Sequence, residues 1–309
     1  MAASGGTKAI IAALLANAGI AVAKFIGYLV TGSSSMLAEA VHSVADTSNQ
    51  GLLLLGKQRA RREATEEHPF GYGRDRYFYS FVVALLLFSL GSVFALYEGF
   101  HKLEGHEPLT SPLVAVVILV VAIGLETLSF RTAIRESRPL KGDGTWWQFI
   151  RQAKTPELPV VLLEDAGALF GLMLALGGVG LATVTGDPVW DAIGTLCIGV
   201  LLGIIAIILI VETKSLLIGE GSGPDELRAI RAAMVGAGVD RVIHVKTQYL
   251  GPDELLVAAK IAVPAVLATE EVARVIDEAE ARIRGTIPAA RIIYLEPDLD
   301  RTPAATGST

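Results

Sequence analysis

Cysteine is nearly missing from this chain of 309 residues. The one present, Cys197, has no partner for an intrachain disulfide and cannot build a cysteine-rich zinc site. Inside its apolar run it reads as a small packing residue. Charge is scarce too: 19% of residues are charged against 52% apolar, and mean hydropathy is positive, which excludes an ordinary soluble domain of this length. No face dense in Lys and Arg is interleaved with aromatics, which argues against nucleic acid as a partner. The net charge of −6 is unevenly spread and says little about partners. No His-Glu-x-x-His run occurs, which removes the helical metal-hydrolase arrangement, and no enzymatic activity is expected.

What the chain has is apolar length. Hydropathy predicts six transmembrane helices at about 8–31, 36–58, 76–100, 111–132, 158–184 and 188–214, each with the roughly twenty residues that a span needs. The first run is long for a signal peptide core and reads as a retained helix, and no arginine-rich transit peptide is visible. Turns at Thr31–Ser35 and Thr185–Pro188 carry Gly, Ser or Pro and no basic residue. Lys57, Arg59, Arg61, Arg62, Arg74 and Arg76 lie between spans two and three; Arg131, Arg135, Arg138, Lys141, Arg151 and Lys154 lie between spans four and five. After span three there is only Lys102. Positive charge collects on the cytoplasmic side, so both basic loops and both termini are expected there.

One span is not apolar. Between Gly32 and Gln50 the residues Glu39, His42, Asp46 and Asn49 recur at i, i+3, i+7 and i+10, forming one polar stripe on a helix. Ionisable groups at membrane depth cost several kcal/mol unless paired, solvated or bound. A divalent cation is a natural partner for such a stripe.

Beyond about residue 218 the pattern changes. An amphipathic helix at 224–235, strands at 241–250 and 254–263 around Gly251-Pro252-Asp253, a helix at 269–283 and a strand at 291–295 predict an α-β-β-α-β domain with both helices on one sheet face. The expected organisation is a 1–7 cytoplasmic tail, an 8–218 six-helix membrane domain, a 219–297 cytoplasmic α+β dimerisation domain, and a disordered 298–309 tail rich in Pro, Ala, Gly, Ser and Thr.

Lys24-x-x-Gly27, Gly32-Ser-Ser-Ser, Ala38-Glu39-Ala40-Val41-His42-Ser43-x-x-Asp46 and His68-Pro69-Phe70-Gly71-Tyr72-Gly73-Arg74 together resemble the cation diffusion facilitator family. The resemblance covers about residues 8–297. It implies a homodimeric antiporter that exports a divalent metal, usually zinc, in exchange for protons, with no permanent cofactor. It also implies four ligands: two residues four apart on span two, and two four apart on span five. His42 and Asp46 match the first pair. Asp165 matches one member of the second, but Val161 stands where the other is expected, and Glu164 lies beside Asp165. Leu162-Leu163-Glu164-Asp165, Asn49-Gln50-Gly51-Leu52 and Arg76 resemble the divergent branch that includes the ninth animal zinc transporter, which lacks the usual span-five histidine.

The expected metal ligands are therefore His42, Asp46, Asp165 and Glu164. One turn apart, His42 and Asp46 can present a nitrogen and an oxygen at about 2 Å from one ion. Glu164 points roughly 100° away from Asp165; it can reach the site, carry protons, or pair at a dimer face. Glu39 either lines the exit path or caps the span. Asn49 either bonds a ligand or bridges helices. Glu126 is a proton path, a partner for Lys24 or an interhelical contact, although Lys24 can also snorkel outward. His68 holds a weak secondary metal or only shapes its loop.

In the tail, the family's His-Val-Glu-Pro ending reads Tyr294-Leu295-Glu296-Pro297, and only His244 and Glu296 remain as donors. Metal sites there are expected to be lost, leaving dimerisation. A His with carboxylates suits zinc, manganese, iron or cobalt, and zinc comes first on family frequency. A transport-impaired sensing scaffold is the alternative function. The expected location is a bacterial cytoplasmic membrane.

Overall fold

The computed structural model describes residues 7–31, 34–105 and 112–299. The chain divides into two compact units, Met1–Leu217 and Ile218–Thr309.

The first unit is helical: α1 (Thr7–Thr31), α2 (Ser34–Arg59), α3 (Asp75–Leu86), a π-helical segment (Leu87–Val93), α4 (Phe94–Gly105), α5 (Pro112–Lys141), α6 (Trp146–Gln152), α7 (Glu157–Thr185) and α8 (Val189–Ile218). Among the described residues five stretches are long and apolar enough to cross a membrane: Thr7–Ile26, Asp75–Glu104, Leu113–Lys141, Glu157–Thr185 and Val189–Ile218. Six were expected. The second, α2, is helical over 26 residues, about 39 Å against a bilayer core of about 30 Å. It falls short on composition, not length, because the stripe dilutes its apolar residues.

Three other features depart from the sequence reading. Arg131, Arg135 and Arg138 belong to α5, which continues through Pro139 to Lys141, so this basic stretch is helix rather than loop. The short α6 is closed by a capping box: Thr145 Oγ1 accepts from Gln148 N at 3.1 Å and Gln148 Oε1 accepts from Thr145 N at 2.9 Å. The third span is interrupted by the π-helical turn, where buried Ser92 Oγ donates to Gly199 O of α8 at 2.8 Å.

The core of this unit joins Ile10 of α1, Leu53 of α2, Val83 of α3, Leu158, Val160, Val161 and Leu162 of α7, and Ile205 and Leu209 of α8. Val161, where the family resemblance calls for a ligand, is thus a core residue. Arg76 of α3 and Glu157 of α7 form a buried two-point ion pair, Nε to Oε1 at 2.5 Å and Nη2 to Oε2 at 2.9 Å. Lys102 of α4 reaches Asp191 of α8 at 2.9 Å. At the α7–α8 turn Gly186 has φ 74°, a conformation that a side chain disfavours. The two helices then run so close that a Cβ on Gly178 would lie 3.0 Å from Trp190 O.

The second unit is α9 (Pro224–Met234), β1 (Arg241–Gly251), β2 (Glu254–Ala262), α10 (Thr269–Thr286) and β3 (Ile292–Asp298), the expected α-β-β-α-β order. The sheet order is β1-β2-β3, with β1 and β2 antiparallel and β2 and β3 parallel. A parallel pair needs a crossover, which α10 supplies. Alternate strand residues Leu255, Val257, Ala259, Ile261, Ile293 and Leu295 share one buried cluster with Ile230 and Met234 of α9 and Val275, Ala279 and Ile283 of α10. Both helices therefore cover the same sheet face.

Within that cluster the Tyr249 hydroxyl donates to Glu226, 2.9 Å from each carboxylate oxygen. Burial first, and then the Glu226 charge, push its ionisation above the ordinary tyrosine value. A raised folded value means stability that is complete below the unfolded value near pH 10 and lost as pH rises further. Tyr249→Phe is expected to cost about 0.5–1.5 kcal/mol near neutrality and to remove this alkaline component. Melts of the Ile218–Thr309 unit from pH 7 to 11 check it: an unchanged alkaline slope counts against the assignment.

Candidate cation site

Three helices bring their polar residues together inside the first unit. From α7 come Glu164 and Asp165, 7% and 1% exposed; from α5 come Glu126 and Ser129, 2% and 1% exposed; from α2 come Asn49 and Gln50, both buried. The contacts divide the two adjacent α7 acids. Glu164 faces α2: Gln50 Nε2 donates to its Oε2 at 2.6 Å, and Asn49 Nδ2 to its Oε1 at 3.4 Å. Asp165 faces α5: Ser129 Oγ donates to its Oδ2 at 2.7 Å, and it shares a side-chain hydrogen bond with Glu126. Asp46 of α2 lies within electrostatic range of Glu126 and Glu164.

Two oxygens in this group, Gln50 Oε1 and Glu126 Oε2, are buried with no hydrogen-bond partner among the described residues. An unsatisfied buried acceptor costs about 1–3 kcal/mol, and several carboxyl groups together cost far more if charged and uncompensated. A cation would relieve both penalties. No three His, Cys, Asp or Glu side chains among the described residues are close enough together to hold a metal. The side chains of Glu39 and His42 lie outside the described residues.

The structure thus brings Glu164, Asp165, Glu126 and Asn49 into one group, with Asp46 in range. Glu126 lies against Asp165 of α7. Asn49 Nδ2 donates to Glu164 across the α2–α7 interface, a contact that fits both of its expected roles. His68 stays apart in an exposed loop, its ring 4.6 Å from that of Tyr72 and its N–H donating to Thr65 Oγ1. Ser129 and Gln50 were missed. An amide beside Asn49 in a lipid-length helix was a readable signal for Gln50, whereas an isolated serine in an apolar span gave none for Ser129.

Glu296 bonds Lys260 at 2.8 Å, and Asp298 reaches the same ammonium at 3.2 Å. The two carboxylates hold the Lys260 ammonium above its usual range. His244 stands opposite Lys260 across the sheet, so a cation already occupies this neighbourhood.

The cation efflux transmembrane domain family matches residues 10–218. Over 261 residues the chain is 34% identical to the protein named proton-coupled zinc antiporter SLC30A9, mitochondrial, of Xenopus laevis, covering 83% of this chain and 46% of that protein. The Homo sapiens protein of the same name is 31% identical, with the same coverage. Metal tolerance protein C4 of Arabidopsis thaliana is 30% identical, covering 82% of this chain and 56% of that protein. The chain spans about half the length of these relatives.

Proposed function

Because the chain belongs to the cation efflux family, we propose that it exports a divalent metal cation, zinc first, in exchange for protons. The buried acidic group of Glu126, Glu164 and Asp165, with Asp46 in range, carries this reading. Groups so costly to bury are retained where an ion pathway needs them. In this reading His42 and Asp46 of α2 and Asp165 of α7 coordinate the ion, and α2 is the sixth span. Glu164 takes its place from the amides of Asn49 and Gln50.

Coordination requires a neutral imidazole and ionised carboxylates, so arrival of metal releases protons, and protons from the far side displace the metal. Alternating exposure of the site to the two faces completes the cycle. The termini are assigned to the cytoplasm, with 8–218 the membrane domain and 219–297 the domain through which two copies pair. The membrane assigned is the bacterial cytoplasmic one; the frog and human relatives are named as mitochondrial.

Purified protein in liposomes enclosing a metal-sensitive dye tests the function. Zinc flux should rise when an opposing proton gradient is imposed. Flux indifferent to that gradient ends the antiport reading, and no flux of zinc, manganese, iron or cobalt leaves the metal-sensing scaffold. Manganese or iron carried faster than zinc would follow from a site dominated by oxygen donors, since all the described side chains of the group donate through oxygen.

A further inference from the structure

A donor is missing on α7. Val161, one turn before Asp165, is fully buried in the apolar core and has nothing to offer a cation. Glu164 is turned toward α2, where its two oxygens accept from the amides of Asn49 and Gln50. The open oxygen is on another helix. Glu126 of α5 is 2% exposed, its carboxyl group meets Asp165, and its Oε2 has no partner among the described residues. Asp46 and Glu164 are both within electrostatic range. Gln50 Oε1, the other unpartnered buried oxygen, belongs to the residue that holds Glu164.

We propose that Glu126 is a direct oxygen ligand of the transported cation and stands in for the donor that Val161 cannot supply. The set becomes three-helical: α2 with Asp46 and His42, α5 with Glu126, α7 with Asp165. Glu164 is then a positioning residue that ties α2 to α7. Asp165, flanked by Ser129 and Glu126, is held on α5 from both sides, so the cation enters between two carboxyl groups that already touch. A carboxylate oxygen in place of an imidazole nitrogen hardens the site, raising manganese relative to zinc.

This rests on the export reading, and its test separates the two. Zinc and manganese affinities are measured on the full chain in detergent, by competition with a chromophoric chelator, for the protein as it is and for Glu126→Gln and Glu126→His. Glu126→Gln should weaken both metals at least about 10-fold, the scale of losing a contact at a metal centre. Glu126→His should recover zinc to within a few-fold while manganese stays weak. A purely structural Glu126 would not divide the two metals this way. Equal affinities in all three proteins, or equal losses for both metals in both variants, overturn the inference.

Should either variant fail to fold, anomalous scattering from the zinc-loaded unaltered protein decides instead. A zinc ion within bonding distance of a Glu126 oxygen supports the assignment, and one bound elsewhere in the membrane unit refutes it. An unaltered protein that binds no cation in this unit defeats the export reading itself.

Discussion

Asp165→Asn should reduce cation flux by at least about 100-fold while leaving the fold intact. Contacts one step removed from a metal already cost 10–100-fold when lost, so a direct ligand belongs at the upper end or beyond. The substitution keeps shape and volume: Asp165 is 1% exposed, and the asparagine carbonyl can still accept from Ser129 Oγ. What disappears is the negative charge and one strong oxygen donor. Removing an uncompensated buried carboxylate also relieves a desolvation penalty, so the variant should melt no lower than the parent. Initial rates of zinc entry into dye-filled liposomes, with melting curves beside them, measure both effects. Flux within about 3-fold of the parent would remove Asp165 from the ligand set.

The largest effect on stability should come from the Arg76–Glu157 pair. Its two hydrogen bonds, of 2.5 and 2.9 Å, are screened from water, with side-chain exposures of 9% and 2%. Breaking a buried pair by removing one partner strands the other charge and costs about 3–5 kcal/mol. Arg76→Ala and Glu157→Ala should each lose stability on that scale. The double variant Arg76→Met with Glu157→Leu should regain most of it, since no charge is left unmatched. Heat or detergent unfolding of purified protein reads this out. Single variants within 1 kcal/mol of the parent would mean that water reaches the pair.

The contrast between these two residues of α7 explains what could be read from the chain. Each of the five apolar stretches is legible through its own run, and the tail helices through their acidic starts and periodic apolar faces, so these features needed no distant partner. The polarity of α2 was visible as well, although it also kept the helix from qualifying as a span by composition. Partnerships across helices were not legible. Glu126 lies against Asp165, a pairing set by the rotation of α5 about its axis, which packing fixes and one sequence does not display. Ser129 and Glu157 were passed over for the same reason. The capping box at Thr145–Gln148 is legible from local spacing alone.

A helix as polar as α2 does not partition into lipid unaided. Its carboxyl and amide groups oppose insertion by several kcal/mol when they face hydrocarbon. Yet α1 ends at Thr31 and α2 begins at Ser34, and α1 packs along it. On the proposed six-span reading, the two enter the bilayer as one hairpin, with the hydrophobicity of α1 carrying its neighbour across. Biogenesis of the proposed cation site then begins in a helix outside its proposed ligand set.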